Sequence, residues 1–299
     1  VVLIALAAKQ RGADVETNTK CTKVKRQNGA WYAALSSQDS ESKSNKSITA
    51  KAVVNAAGPW VASIFDEALQ LKAPQQVRLV KGSHIVVPKV HELEKAFILQ
   101  NDDNRIVFVL PYENDFSLIG TTDVEYTGEP SKVAIDNDEV EYLIRITNDH
   151  FKQQISKSDV IHTYSGVRPL LEDESSDPQA VTRDYTLEIQ SENGRAPILS
   201  VFGGKITTYR KLAEAAVNQL NEFFPEMKSP WTKQARLPGG DFESKSQLLD
   251  DLSVLFPFLP NRLITRFVRS YGTLSYQLLD GVNSLEDLGI CFGSDLFQA

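Results

Sequence analysis

Residues 53–60 read Val-Val-Asn-Ala-Ala-Gly-Pro-Trp. A short β-branched run enters a turn of small residues, and Pro59-Trp60 opens the next segment as a helix. Small residues at a strand end let a ligand approach the backbone closely. A helix start also offers N–H groups that have no partner within the helix. An ordinary tight βα turn explains the same string equally well. Much later the pattern returns as Ser-Val-Phe-Gly-Gly-Lys-Ile-Thr-Thr-Tyr-Arg over 200–210. Gly203 and Gly204 permit a sharp turn, and Thr207 is expected to cap the adjoining helix. Lys205 adds a full positive charge beside the positive end of that helix; the alternative is a structural Gly-Gly turn with a surface lysine. Two strand–turn–helix units in one chain predict an α/β fold.

Between and around these units the texture differs. Residues 1–11 read as the end of a helix closed by Gly12. Residues 14–25 have strand character, and Asn28-Gly29 is a hairpin signal with its return strand over 30–35. Residues 36–47 are polar and Ser-rich, a solvated loop or hairpin tip. A helix is expected over 60–68. Strand-like runs then crowd together at 82–87, 105–110 and 116–120, separated by turn residues, which predicts an antiparallel sheet. Apolar residues at Val140, Leu143, Ile144, Phe151 and Ile155 suit an amphipathic helix over 138–155. Residues 172–177 form an acidic loop. Strands are expected at 186–189 and 198–202, and a helix at 207–224. Pro225, Pro230 and Pro238-Gly239-Gly240 mark a linker, and the remainder is helical.

Composition narrows the function classes. The 299 residues are 41% hydrophobic and 24% charged, so the chain has enough apolar surface for a packed core and roughly two domains. A net charge of −7 disfavours general nucleic-acid binding. Cys21 and Cys291 have neither disulfide-framework nor zinc-site spacing. The opening apolar run stops at Lys9, short of the roughly 20 residues that span a bilayer. The only methionine is Met227, and the chain starts Val-Val-Leu-Ile-Ala-Leu, as if inside an element. We therefore expect a fragment.

Four cations dispersed in sequence are candidate ligand-binding groups: His84, Arg168, Arg183 and Lys205. Taken singly, a satisfied structural histidine and surface ion-paired arginines account for them as well. Arg262, Arg266 and Arg269 fall on one side of an expected helix, where they face either anionic lipid or simply water.

Seven stretches together resemble the FAD-dependent sn-glycerol-3-phosphate dehydrogenase family, in particular its aerobic, quinone-linked bacterial members. They are VNAAGPWV at 54–61, VKGSHIVVPKVH at 80–91, RIVFVLPY at 105–112, LIGTTDVEY at 118–126, YSGVRPL at 164–170, TRDY at 182–185 and FGGKITTYRKLAE at 202–214. The N-terminal GxGxxG region of that family has no counterpart in the sequence.

The resemblance implies a two-dinucleotide-binding-type FAD domain, an antiparallel-sheet substrate domain and a helical C-terminal cap. The implied boundaries are 1–77 (FAD-binding, partial), 78–184 (substrate-binding), 185–226 (returning FAD segment), 227–240 (linker) and 241–299 (cap). It implies oxidation of sn-glycerol 3-phosphate to dihydroxyacetone phosphate by hydride transfer to FAD, with electrons passed to a membrane quinone. His84 would be the general base, with Arg168, Arg183 and Lys205 holding the substrate and Lys205 and Arg168 stabilising charge. Ala57, Gly58 and Trp60 would line the FAD site, and Gly203, Gly204 and Thr207 would meet the flavin's pyrimidine side, where negative charge gathers on reduction. The implied setting is cytoplasmic, in peripheral contact with membrane lipid, with a homodimer left open. The competing expectations are a glycerol-3-phosphate oxidase using oxygen, an amine or amino-acid oxidase of the same superfamily, and a truncated non-catalytic binding module.

Overall fold

The computed structural model describes residues 1–38, 45–171 and 185–298. They fall into two compact units, Val1–Asn18 with Ser229–Ala299, and Thr19–Lys228.

The first unit is helical. It contains α1 (Val2–Gln10) and, from the other end of the chain, three later helices.

The second unit holds three sheets, built in chain order. Asn28-Gly29, both at positive φ, turn β1 (Thr19–Gln27) into β2 (Ala30–Ser37), and β3 (Asn45–Ala50) completes an antiparallel sheet. Trp31 is its buried anchor: its ring is 1% exposed and Nε1 donates to the Pro197 carbonyl at 2.9 Å. β4 (Val53–Asn55) is next in the chain. The helix expected over 60–68 is instead two short pieces, a 3₁₀ turn at Gly58–Trp60 and a single wide turn at Phe65–Leu69. Phe65, Ala68 and Leu69 of this wide turn are buried in the core of the first sheet.

A longer antiparallel sheet comes next: β5 (Val77–Pro88), β6 (Phe97–Gln100), β7 (Ile106–Tyr112), β8 (Phe116–Gly120), β9 (Val124–Glu125) and, after α2 (Asn137–His150), β10 (His162–Leu171). Their spatial order is β10-β5-β8-β7-β6, with β9 paired to β5. Period-two alternation gives the sheet two unlike faces. Ile85, Val87, Val107, Val109 and Ile119 point to one face and pack with Val140, Leu143 and Ile146 of α2. The Asp136 carboxylate accepts from Glu139 N and the Glu139 carboxylate accepts from Asp136 N, a capping box that starts α2 one residue before the expected position. The helix also ends earlier than expected, at His150. Truncating the fully buried Leu143 to Ala would cost about 2–5 kcal/mol. The opposite face carries Ile98, Phe108 and Tyr164, all exposed, together with His84.

The third sheet is β11 (Tyr185–Glu192), β12 (Arg195–Gly203) and β4, in the order β11-β12-β4. The β12–β4 pair is parallel, with Ser200 opposite Asn55. α3 (Tyr209–Leu220) packs Ala216 and Leu220 against Leu199 and Val201. Its cap corrects one expectation. Thr208, not Thr207, is the N-cap, and its hydroxyl donates back to the Lys205 carbonyl at 3.1 Å rather than capping a helix N–H. A preceding 3₁₀ turn at Ile206–Thr208 has taken the place of the first α-turn.

In the helical unit, α4 (Lys245–Leu255), α5 (Asn261–Tyr271) and α6 (Leu274–Leu278) bury Leu252, Leu263, Ile264, Phe267 and Val268. On α5, Arg262 pairs with Asp295 and Arg266 Nη1 donates to the Ser294 carbonyl at 2.9 Å. Those two arginines therefore brace the chain's own C-terminal segment. Among the described residues no helix is long and apolar enough to cross a membrane, and no cluster of His, Cys, Asp and Glu has metal-binding geometry.

Candidate active site

β4 and β12 run the same way, so their carboxyl ends and the turns beyond them lie side by side. Ligands of open α/β sheets sit outside the carboxyl ends of such strands. The first turn is pinned from inside: the buried Asn55 donates through Nδ2 to the Val61 carbonyl at 2.9 Å, and its Oδ1 accepts from Ala57 N at 3.4 Å. Gly58 has φ +56°, and a Cβ there would meet nothing within 4 Å. Trp60 Nε1 donates to Glu129 at 3.0 Å. The second turn has Gly203 and Gly204 at positive φ (+76° and +97°), a backbone that side chains with a Cβ rarely adopt. A Cβ on Gly204 would lie 2.8 Å from Leu212 on α3. Lys205 and Thr207 are exposed beyond it.

The long sheet supplies the other wall, because β10 packs against β12 and against the 3₁₀ turn at Gly58–Trp60. On this face Tyr164 lies opposite His84, Gly166 opposite Gly82 and Arg168 opposite Val80. The rings of His84 and Tyr164 stack at 4.9 Å, 9° from parallel. Gly120 faces His84 from β8, and a Cβ there would run into the imidazole and the Ser83 carbonyl. Arg168 Nη1 pairs with Asp123, and Nη2 donates to Thr121 Oγ1 at 3.0 Å. The guanidinium lies over Gly82, where a Cβ would come within 2.7 Å of Nη2. Gly166 has open space above it. The result is a glycine-lined face, open above Gly166, with an imidazole and a phenol at one end and a guanidinium fork over Gly82 at the other.

The electrostatics suit proton removal beside an anion. Burial, then the nearby Arg168 charge, pushes the His84 imidazole below its ordinary value, which favours its neutral, proton-accepting form. His84 Nδ1 is buried without a partner among the described residues. Burial, then Tyr112, raises the Tyr164 phenol, which stays protonated.

Of the residues expected from sequence, the structure brings His84 and Arg168 onto one face. It sets Ala57, Gly58 and Trp60 beside β10, and Gly203 and Gly204 at the end of the strand next to β4. Lys205 is in the second of these turns, with an exposed side chain. Arg183 lies outside the described residues. Sequence reasoning did not single out Tyr164, Thr121 or Asp123. They fall within the YSGVRPL and LIGTTDVEY stretches, but only strand register shows what they face.

Residues 1–210 match the family described as FAD dependent oxidoreductase. A Pseudomonas aeruginosa protein named glycerol-3-phosphate dehydrogenase is 50% identical over 99% of this chain and 58% of its own length. The Escherichia coli aerobic glycerol-3-phosphate dehydrogenase is 48% identical over 97% of this chain and 58% of its own length. A Brucella abortus D-erythritol 1-phosphate dehydrogenase is 41% identical over all of this chain and 59% of its own length. The chain thus spans rather more than half of these relatives. Among solved structures, a Bacillus halodurans glycerol-3-phosphate dehydrogenase complexed with FAD superposes with a TM-score of 0.80 at 26% identity, covering 93% of this chain and 54% of that one. The match over 1–210 takes in both glycine turns and the whole long sheet, and the chain belongs to the FAD dependent oxidoreductase family.

Proposed function

We propose that the protein oxidises sn-glycerol 3-phosphate at C2 to dihydroxyacetone phosphate, with FAD as the hydride acceptor. The observation that carries this reading is the His84 imidazole, stacked on Tyr164, and the anchored Arg168 guanidinium lying on one glycine-lined face. The names and high identity of the relatives point the same way.

The residues fit the cofactor. Open space over Gly58 and Gly166 and positive-φ glycines at 203 and 204 admit a flat ring close to backbone. Ala57, Gly58 and Trp60 would hold it on the β4 side, and Gly203, Gly204 and Thr207 on the β12 side. When bound, FAD supplies the two-electron acceptor. Arg168, its fork aimed by Asp123 and Thr121, binds the substrate phosphate, with Arg183 as a second cation. His84 takes the proton from the C2 hydroxyl. Lys205 steadies negative charge developing on the C2 oxygen. The exposed apolar face around Tyr164 and Phe108 limits water near the imidazole once substrate covers it.

The electrons pass to a membrane quinone, and the protein meets the cytoplasmic face of the membrane peripherally. The Escherichia coli relative is named as an aerobic enzyme, which fits an electron acceptor of the respiratory kind.

The test is anaerobic. The FAD-loaded full-length protein is mixed with sn-glycerol 3-phosphate while flavin absorption is followed, with D-erythritol 1-phosphate as competitor. Rapid bleaching by glycerol 3-phosphate is expected, slowed roughly a hundredfold or more in His84→Ala. Bleaching only by the tetritol phosphate would move the substrate, and no bleaching by either would sink the reading. Quinone reduction compared with peroxide release under air then separates dehydrogenase from oxidase.

A further inference from the structure

Behind the site, on the face covered by α2, lies a buried charged cluster that none of the proposed chemistry uses. Glu139 is 5% exposed, and Lys81 on β5 is 7% exposed. Lys81 Nζ reaches Glu139 Oε2 at 2.7 Å and Asp136 Oδ2 at 3.0 Å. The other Glu139 oxygen, Oε1, accepts from Ser83 Oγ at 3.0 Å and from Thr122 Oγ1 at 2.7 Å. Ser83 Oγ also meets Ser165 Oγ at 2.9 Å. Thr122 Oγ1 in turn accepts from Ser83 N at 2.9 Å. That bond joins β5 to the segment just after β8, beside a long main-chain bond from Thr122 N to the Ser83 carbonyl at 3.4 Å.

The register gives this cluster its meaning. Ser83 lies between Gly82 and His84. Ser165 lies between Tyr164 and Gly166. Thr122 lies between Thr121 and Asp123. In extended chain, neighbours point to opposite faces. The hydroxyls of Ser83 and Thr122, held by Glu139, and that of Ser165, held by Ser83, therefore tie down the backbone beside groups that work on the front: the imidazole, the two groups that aim Arg168, and the phenol stacked on the imidazole. β5 and the segment after β8 meet this carboxylate directly, and β10 is joined to it through Ser83. A surface ion pair would not require this, and burying a carboxylate is costly unless its lone pairs are satisfied. Here both oxygens are.

We propose that Glu139, through Ser83, Thr122 and Ser165, is the positioning residue that sets the distance between His84 and Arg168, with Lys81 holding the Glu139 carboxylate in place. The assignment of His84 and Arg168 to catalysis rests on the proposed function; the coupling of the two faces does not.

The probe is Thr122→Val, which keeps shape and removes the hydroxyl, against Thr122→Ser, which keeps the hydroxyl. Both are made in the full-length FAD-loaded protein, with Ser165→Ala as the second probe. Flavin reduction by sn-glycerol 3-phosphate, its substrate dependence and its pH profile are measured, together with an NMR titration of the His84 imidazole without substrate. The charged and titratable groups around that imidazole are Arg168 and Tyr164 of β10, and Asp123 after β8, which is bonded to Arg168. Thr122→Val should slow reduction about 10- to 100-fold, since an ångström of misplacement costs that much. It should also move the His84 titration up toward the ordinary histidine value, and Thr122→Ser should restore both. If Thr122→Val fails to fold, Ser165→Ala decides by the same readouts. If wild-type flavin is not reduced, the functional reading fails and the His84 titration alone decides this one. A folded Thr122→Val, or failing that a folded Ser165→Ala, whose rate, pH profile and His84 titration match wild type would overturn the proposal.

Discussion

Replacing Gly82 by Ala tests the Arg168 cradle in a way the geometry makes quantitative. A methyl at Gly82 would lie 2.6 Å from Thr121 Oγ1 and 2.7 Å from Arg168 Nη2. Ordinary carbon–nitrogen contact begins near 3.4 Å, so the guanidinium must retreat by roughly 0.7 Å. The end of an arginine side chain moves cheaply, but the Thr121 hydroxyl, on a short β-branched side chain, must turn aside too, so the variant should also lose about 1–3 kcal/mol of stability. The retreat itself pulls the fork off the line set by Asp123 and Thr121. One charge-assisted hydrogen bond to the phosphate is worth about 1.5–3 kcal/mol, or roughly 12- to 160-fold in affinity. Anaerobic flavin titration and stopped-flow reduction with sn-glycerol 3-phosphate would show the loss. The same measurements with glycerol, which has no phosphate, should show far less. A folded Gly82→Ala protein with wild-type affinity and reduction rate would refute the placement of Arg168 over the substrate floor.

The remaining predictions concern charge. Because burial and Arg168 hold His84 below its ordinary value of 6.5, flavin reduction should stay high through pH 6.5 and fall only as pH drops through the lowered value. Arg168→Gln should move that limb upward; a limb that stays put would show that the charge is not felt. The same shift has a stability sign: the unfolded chain binds the proton first, so His84's contribution is complete above about pH 6.5 and is lost as pH falls through the folded-state value. Lys81→Met leaves the Glu139 carboxylate buried without its cation and should cost about 3–5 kcal/mol in chemical denaturation. A loss under about 1 kcal/mol would mean that the carboxylate has been protonated or rehydrated.

Much of the site's raw material is legible as local pattern. The two small-residue turns after β-branched runs, and the crowded alternating strands between them, predict the α/β units and the long antiparallel sheet that the structure contains. Asn28-Gly29 delivers its hairpin. What local pattern does not carry is which residues meet across strands. His84 stacks on Tyr164 only because β5 and β10 pair in one register out of many. The same holds for Lys81, a charged residue inside an otherwise buried run whose partners arrive from α2. Thr207 and Thr208 are adjacent and chemically alike, and only the 3₁₀ start of α3 chooses between them. The stretch at 60–68 has helical composition, yet it folds as two short turns that bury Phe65 and Leu69.

The β5–β10 pairing has a kinetic consequence. The innermost pair of this ladder is His162 opposite Val86, so about 75 residues of intervening chain must be gathered before it closes. Non-local strand pairing is the slow part of folding, because closure entropy is spent before contacts return it. The hairpin at Asn28-Gly29 and the α2 capping box need no such wait. The imidazole–phenol stack and the Arg168 cradle belong to that late ladder, so an intermediate with native-like secondary structure would be catalytically silent. Recovery of activity on refolding should therefore lag recovery of far-ultraviolet signal, making turnover a clock for the last step of assembly.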